Sequence, residues 1–186
     1  GAKSPLTGTI KESNTGGSSS QMLAKMGIKA FVIEGKPSDD KFYVIKLDMN
    51  GVTIEPAPAE ILGGCGNYDA IRILGEKYGS HVGIAIIGPA GEHRLPSANI
   101  SFKDPEGNIR SAGRGGLGAV LGSKNVKAII IDETGASKVP VADPEAFAAA
   151  SKVFAKALLD HPVAGQGLAL YGTDVLVNII NEAGGL

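Results

Sequence analysis

The sequence predicts an α+β domain followed by the start of an all-α one. Three observations carry this. Strand-length apolar runs recur up to about residue 135. From about residue 141 onward the apolar residues recur only at helical spacing. Between them, at Lys138-Val139-Pro140, the pattern changes character.

Taken in order, "TGTIKES" (7–13) is a weak strand and "NTGGSSS" (14–20) a loop of turn formers. "SQMLAKMG" (20–27) is a short helix, with Gly27 as its C-cap. "KAFVIEG", "KFYVIKLD" and "GVTIEPA" are three strands, the last two flanking Met49-Asn50-Gly51. Asn-Gly between two strands is a strong hairpin signal, because both residues tolerate positive φ. In "NYDAIRILGEKYG" (67–79) apolar residues at 71, 74 and 78 predict a helix. "VGIAIIG" (82–88) and "VKAIIID" (126–132) are continuous apolar runs, which predicts strands buried on both faces. "PSANISFKD" is a further strand, ending in the turn Asp104-Pro105-Glu106-Gly107. A glycine loop then opens a helix of about ten residues that ends at Asn125. Asp143, Pro144 and Glu145 start a helix as N-cap, N1 proline and first-turn acid. Its apolar face is Phe147, Ala150, Phe154, Ala157 and Leu158, and it runs to about Asp160. "HPVAGQGLALYG" reads as an ordered loop. Thr173 is placed to cap a last helix carrying Val175, Leu176, Ile179 and Ile180. The expected domains are thus 1–137 and 141–186.

Composition narrows the function classes. The 186 residues are 43 % hydrophobic and 20 % charged, as in a globular chain. A net charge of −1 argues against a surface dedicated to nucleic acid or to an anionic membrane. No apolar run approaches the ~18–20 residues of a membrane span. Cys65 is the only cysteine, so this chain closes no internal disulfide and cannot supply the four thiolates of an iron–sulfur cluster. A cytoplasmic setting is expected. The chain opens on Gly1 and stops at Gly184-Gly185-Leu186, just past an apolar helical pattern, and reads as a piece cut at both ends.

The chemistry concentrates in "SAGRGGLGAVLGSKN" (111–125), with five glycines and two cations in fifteen residues. Glycine admits positive φ and lets another molecule approach the backbone. Gly113, Gly115 and Gly116 stand ahead of a helix start, and Arg110 and Arg114 can each grip a phosphate with two parallel hydrogen bonds. An oxyanion cradle follows from this pattern. Glycines placed for close helix packing are the alternative. Gly122-Ser123-Lys124 has the wrong order and place for a P-loop, and Gly113-Arg114-Gly115-Gly116-Leu117-Gly118 matches a dinucleotide fingerprint only loosely. "SNTGG" (13–17) and "GPAGEHR" (88–94) are further candidate ligand loops. His81, His93 and His161 lack metal-ligand spacing, and Asp39-Asp40 reads as a solvated turn. No base, nucleophile and orienter assemble, so any chemistry lies in a cofactor or in other chain.

"KSPLTGTIKESNTGG", "FVIEGK", "IGPAGE", "AGRGGLGAVLGSKNVKAI" and "YGTDVLVNIINEAG" occur in the order found in the tungsten-containing aldehyde ferredoxin oxidoreductase family, which the chain resembles over nearly its whole length. The resemblance implies an N-terminal domain of paired mixed β-sheets with a few helices, serving as a platform beneath a metal bispterin. The metal is tungsten, or molybdenum in some relatives. It implies oxidation of aldehydes to carboxylic acids, with electrons passed to ferredoxin through a [4Fe–4S] cluster whose ligands are not in this chain. Some relatives instead reduce aromatic thioesters. A homodimer is one assembly the family forms, and the fragment alone is expected to be inactive.

Residue by residue, the family's Asn-x-Gly-Gly loop matches Asn14, Thr15, Gly16 and Gly17. Its Arg-x-Ala-Gly-Arg-Gly-Gly loop matches Arg110, Ser111, Ala112, Gly113, Arg114, Gly115 and Gly116. The resemblance places the pterin phosphates against these loops, with a bridging magnesium taken by the backbone carbonyls of Asn14 and Ser111. This chain departs from the pattern at Ser18-Ser19-Ser20, where an aromatic and small residues are usual, and at Ser111, where alanine is commoner. Two readings remain beside this one: a free-standing phosphate- or nucleotide-binding module without redox chemistry, and a folded piece that binds nothing.

Overall fold

The computed structural model describes residues 1–185. They form two units, one spanning Gly1–Val139 and one beginning at Pro140.

The first unit is α+β. Two short strands open it, β1 (Ala2–Lys3) and β2 (Ile10–Lys11), paired antiparallel with Ala2 opposite Lys11. Next come helix α1 (Ser19–Lys25), strands β3 (Tyr43–Asp48) and β4 (Gly51–Pro56), and helix α2 (Asn67–Tyr78). Strand β5 (Gly83–Ile86), the single turn α3 (Pro89–Glu92), and strands β6 (Ile100–Lys103) and β7 (Ile109–Ala112) follow. Helix α4 (Leu117–Ser123) and strand β8 (Val126–Ile131) complete the unit.

Six strands make one mixed sheet, ordered β4-β3-β8-β5-β6-β7. Only β3 and β8 are parallel. The two continuous apolar runs are the sheet's neighbouring central strands, β8 and β5, and every residue in both is buried. Alternation then splits the core between two faces. Val44, Ile84, Ile86, Ala128 and Ile130 pack with Ala70, Ile71 and Leu74 of α2. Ile45, Leu47, Ala85, Ile129 and Ile131 pack with Leu121 of α4, with Met22 and Leu23 of α1 and with Met26 at its C-cap. At roughly 1.5–3 kcal/mol for each large side chain buried, this two-sided core is the main favourable term in the unit.

The β3–β4 hairpin closes through Met49-Asn50, with Asp48 opposite Gly51 at φ +128°. The Asp48 carboxylate accepts the Asn50 N–H at 2.8 Å and fixes the turn. Helix α4 is shorter than the ten residues its pattern suggests. The chain leaves it at Lys124, ahead of Asn125 at φ +55°.

The expected strand at 29–35 has no regular structure. Its Ile33 packs against the sheet, but Val32 is 80 % exposed. An extended segment becomes a strand only by pairing, and no described strand pairs with it.

The second unit holds α5 (Pro144–Asp160), a π-type turn over Pro162–Gly167, α6 (Leu168–Tyr171), a 3₁₀ stretch over Gly172–Leu176 and α7 (Val177–Glu182). Asp143 caps α5 by accepting the Ala146 N–H at 2.9 Å. The stretch 161–172 is helical, not a loop. His161 Nδ1 accepts the N–H groups of Val163 and Ala164. A Cβ at Gly165 would lie 2.1 Å from the Leu159 carbonyl oxygen, so only glycine permits this turn. Thr173 lies inside the 3₁₀ stretch and does not cap α7, whose N-cap is Leu176.

Counted together, Pro162–Glu182 makes 21 residues and holds an 18-residue window of mean hydropathy 1.3, a span-like stretch that single apolar runs do not reveal. It is broken into four pieces, with Gly172 at φ +59° between two of them.

Candidate functional site

The two glycine loops meet. The Asn14 loop connects β2 to α1, and the arginine loop connects β7 to α4. The Arg114 N–H donates to Ser13 Oγ at 2.9 Å, joining segments 101 residues apart in sequence. Ser13, Asn14, Thr15, Gly16 and Gly17 line a cavity of about 520 Å³, with Ala112 at the end of β7 and apolar side chains such as Phe31, Ile100 and Leu121 on the rest of its wall.

The glycines do two different jobs. Gly115 and Gly116 are buried, with φ of +77° and +68°. A Cβ at Gly116 would come within 1.9 Å of the Pro96 carbonyl oxygen. One at Gly118 would come within 2.2 Å of the Asn99 carbonyl oxygen, and one at Gly122 within 1.9 Å of that of Gly91. These glycines serve conformation and close packing. Gly16 and Gly113 instead have nothing within 4 Å of where a Cβ would stand, and their φ needs no glycine. They present bare backbone to open space, as a loop approached by a ligand does.

The cations differ as well. The exposed Arg114 side chain has no acidic partner among the described residues. Arg110 lies on β7, and its Nε donates to Asp104 at 3.1 Å. Asp104 is buried at the start of the β6–β7 turn and also accepts the Asn108 N–H at 2.7 Å. Burial pushes the Asp104 carboxyl up. The Asn108 bonds and the Arg110 guanidinium outweigh burial and hold it below its ordinary value. Asp104 therefore stays ionised and pins one edge of Arg110, leaving the terminal guanidinium nitrogens free. Sequence reasoning treated Asp104 only as a turn residue.

Ser111 and Ala112 follow Arg110 along β7, the sheet's edge strand, where one side of the backbone has no ladder partner. The Ser111 side is exposed and Ala112 is buried. Asn14 and Gly16 are exposed, while Thr15 and Gly17 are half-buried. Gly17 packs its α-carbon against β6, where a Cβ would lie 3.2 Å from the Lys103 carbonyl oxygen.

The third candidate loop, 88–94, is occupied otherwise. Glu92 pairs with the fully buried Lys127, whose ammonium also donates to the Ile87 carbonyl at 2.8 Å. The second Glu92 oxygen accepts the Gly63 N–H at 3.2 Å. His81 lies 3.2 Å from Thr134 Oγ1, and Asp39 accepts from the Tyr43 hydroxyl. Among the described residues no three His, Cys, Asp or Glu converge as a metal site. A cation at the two loops would have to be taken by backbone and amide oxygens, a donor set that suits a hard ion such as magnesium. Free guanidinium nitrogens, open glycine backbone and oxygen donors together fit a phosphate with its cation.

Comparison with known proteins places the chain. The family model described as "Aldehyde ferredoxin oxidoreductase, N-terminal domain" matches residues 1–133. Tungsten-containing aldehyde ferredoxin oxidoreductases of Pyrococcus horikoshii and Pyrococcus furiosus are each 43 % identical over 183 residues, 98 % of this chain. That of Thermococcus kodakarensis is 40 % identical over the same share. The chain spans only 28 % of the length of the first of these and 29 % of the other two. Among solved structures, the active-site complex BamBC of benzoyl coenzyme A reductase, in complex with 1,5-dienoyl-CoA, superposes with a TM-score of 0.71 at 27 % identity. That likeness covers 84 % of this chain and 22 % of the other. The chain belongs to the aldehyde ferredoxin oxidoreductase family, of which it carries the N-terminal domain.

Proposed function

We propose that this chain is the cofactor platform of a tungsten, or molybdenum, bispterin oxidoreductase that converts aldehydes to carboxylic acids and passes the electrons to ferredoxin. The observation that carries the reading is the junction of the two loops through Ser13 and Arg114, with open glycine backbone at Gly16 and Gly113 on either side. Arg110 and Arg114 hold pterin phosphates through their free guanidinium nitrogens. Asn14, Thr15, Gly16 and Gly17 form one rim, and Ser111 through Gly116 the other. The backbone carbonyls of Asn14 and Ser111 hold the magnesium that offsets phosphate charge. When bound, the metal bispterin supplies the two-electron oxidation. This chain's part is to bind and orient it. The iron–sulfur cluster takes its ligands from elsewhere, since Cys65 stands alone.

Gly113→Asp tests the cradle. The position is exposed, has open space and needs no positive φ, so the new carboxylate adds negative charge without strain. The native-length polypeptide carrying this variant is expected to keep its melting temperature without cofactor while losing bound pterin. The measurement is fluorescence of acid-released pterin alongside tungsten, molybdenum and magnesium per chain. Wild-type pterin content would refute the cradle. Nucleotide bound in place of pterin in the wild-type protein would favour the free-standing phosphate module.

A further inference from the structure

We infer that Lys11 is a third phosphate-binding cation of the cradle, an assignment that rests on the platform reading above. No motif points to it. It enters through packing. The Lys11 stem lies along Gly115, where a Cβ would meet Lys11 Cγ at 2.5 Å and Cβ at 3.0 Å. Lys11 Cδ is 3.9 Å from the same point, and the ammonium is two bonds beyond it. The flexible end of the side chain is thereby within reach of the loop that contains Arg114.

Its lack of a partner is what points to a ligand. Other lysines pair with acids, as Lys25, Lys46, Lys77, Lys127 and Lys156 do, or donate to carbonyls, as Lys103 and Lys124 do. Of the lysines whose ammonium has no partner among the described residues, all but Lys11 are exposed. Lys11 is half-buried because its stem packs on Gly115, and its ammonium has no ion-pair partner among the described residues. A phosphate oxygen at the loop would supply the missing partner. The contact also explains one glycine: any side chain at Gly115 would displace the Lys11 stem, besides the strain of φ +77°.

The test uses the native-length, cofactor-loaded protein. Lys11→Met keeps the stem and removes the charge, and Lys11→Arg keeps the charge. Pterin loss is followed by fluorescence during dialysis at rising sodium chloride. Lys11→Met is expected to lose pterin about tenfold faster at low salt, the size of one charge-assisted hydrogen bond. Its loss rate should also depend less on salt, since one ionic contact is gone. Lys11→Arg should behave as wild type. Wild-type retention in Lys11→Met, or equal loss in both variants, overturns the assignment while leaving the cradle standing. Failure of the cradle itself has a different signature: Gly113→Asp then retains pterin fully, and the Lys11 assignment falls with it.

Discussion

A single carboxylate sets the posture of Arg110. Asp104 accepts from Asn108 and from Arg110 Nε, so it ties the β6–β7 turn to the arginine and fixes one edge of the guanidinium. Its carboxyl is held below the ordinary value against the opposing effect of burial. A carboxyl whose pKa is lower folded than unfolded stabilises the fold above its unfolded pKa. That stability is lost as pH falls through the folded pKa. The contribution is therefore complete at neutral pH and fades below about pH 4. Asp48, Glu55 and Asp132 are lowered too and act with the same sign. Asp104→Asn is expected to flatten part of the acid-side fall in melting temperature, measured between pH 3 and 6. An unchanged acid slope in the variant would remove Asp104 from the clamp. In the loaded protein the same substitution should loosen pterin less than Arg110→Ala, because it frees the arginine without deleting it.

At the scale of elements, the strength of the local signal decides what the sequence reveals. Strands β5 and β8 are legible because continuous apolar runs of that length belong inside a sheet. The β3–β4 hairpin is legible from Asn50-Gly51, and α5 from Asp143 and Pro144. The segment 29–35 has the composition of a strand, but pairing is a property of the partner and is invisible locally. The helical stretch 161–172 is masked by its glycines and proline, which here permit a wide turn capped by His161. The glycine loops are legible, yet their junction at Ser13, the Asp104 clamp and Lys11 are not, since each is made by contacts distant in sequence or by packing. The buried pair Lys127–Glu92 is of the same kind. It joins β8 to α3 and to the loop at Gly63, and α3 packs on α4 through Gly91 and Gly122. The pair thus holds the helix behind the cradle from two elements away. Lys127→Met should destabilise the unit by about 3–5 kcal/mol, because it leaves Glu92 buried without its partner. Adding Glu92→Leu should recover much of the loss. A single variant that melts as the wild type does would show the pair to be dispensable.

For the whole molecule, the distribution of buried side chains separates the two units. Among the described residues, every buried apolar one lies between Val44 and Ile131, inside the first unit. None of the helical elements from Pro144 to Glu182 contains a buried residue, although Phe147, Phe154, Leu159, Leu170 and Ile179 are all large and apolar. Cooperative unfolding comes from a shared core that all elements gain or lose together. Helix α5 alone, at 17 residues, is near the length at which isolated helices are marginal in water. The first unit has a core closed on both faces of its central strands, and the described residues of the second form none of their own. A peptide of residues 140–186 is therefore expected to show partial helicity that fades gradually on heating. A chain of residues 1–139 should give a sigmoidal melt with a defined midpoint. Circular dichroism at 222 nm on the two pieces decides between these behaviours. A sharp transition from 140–186 would mean that its apolar faces close on one another, and that the second unit folds without help from other chain.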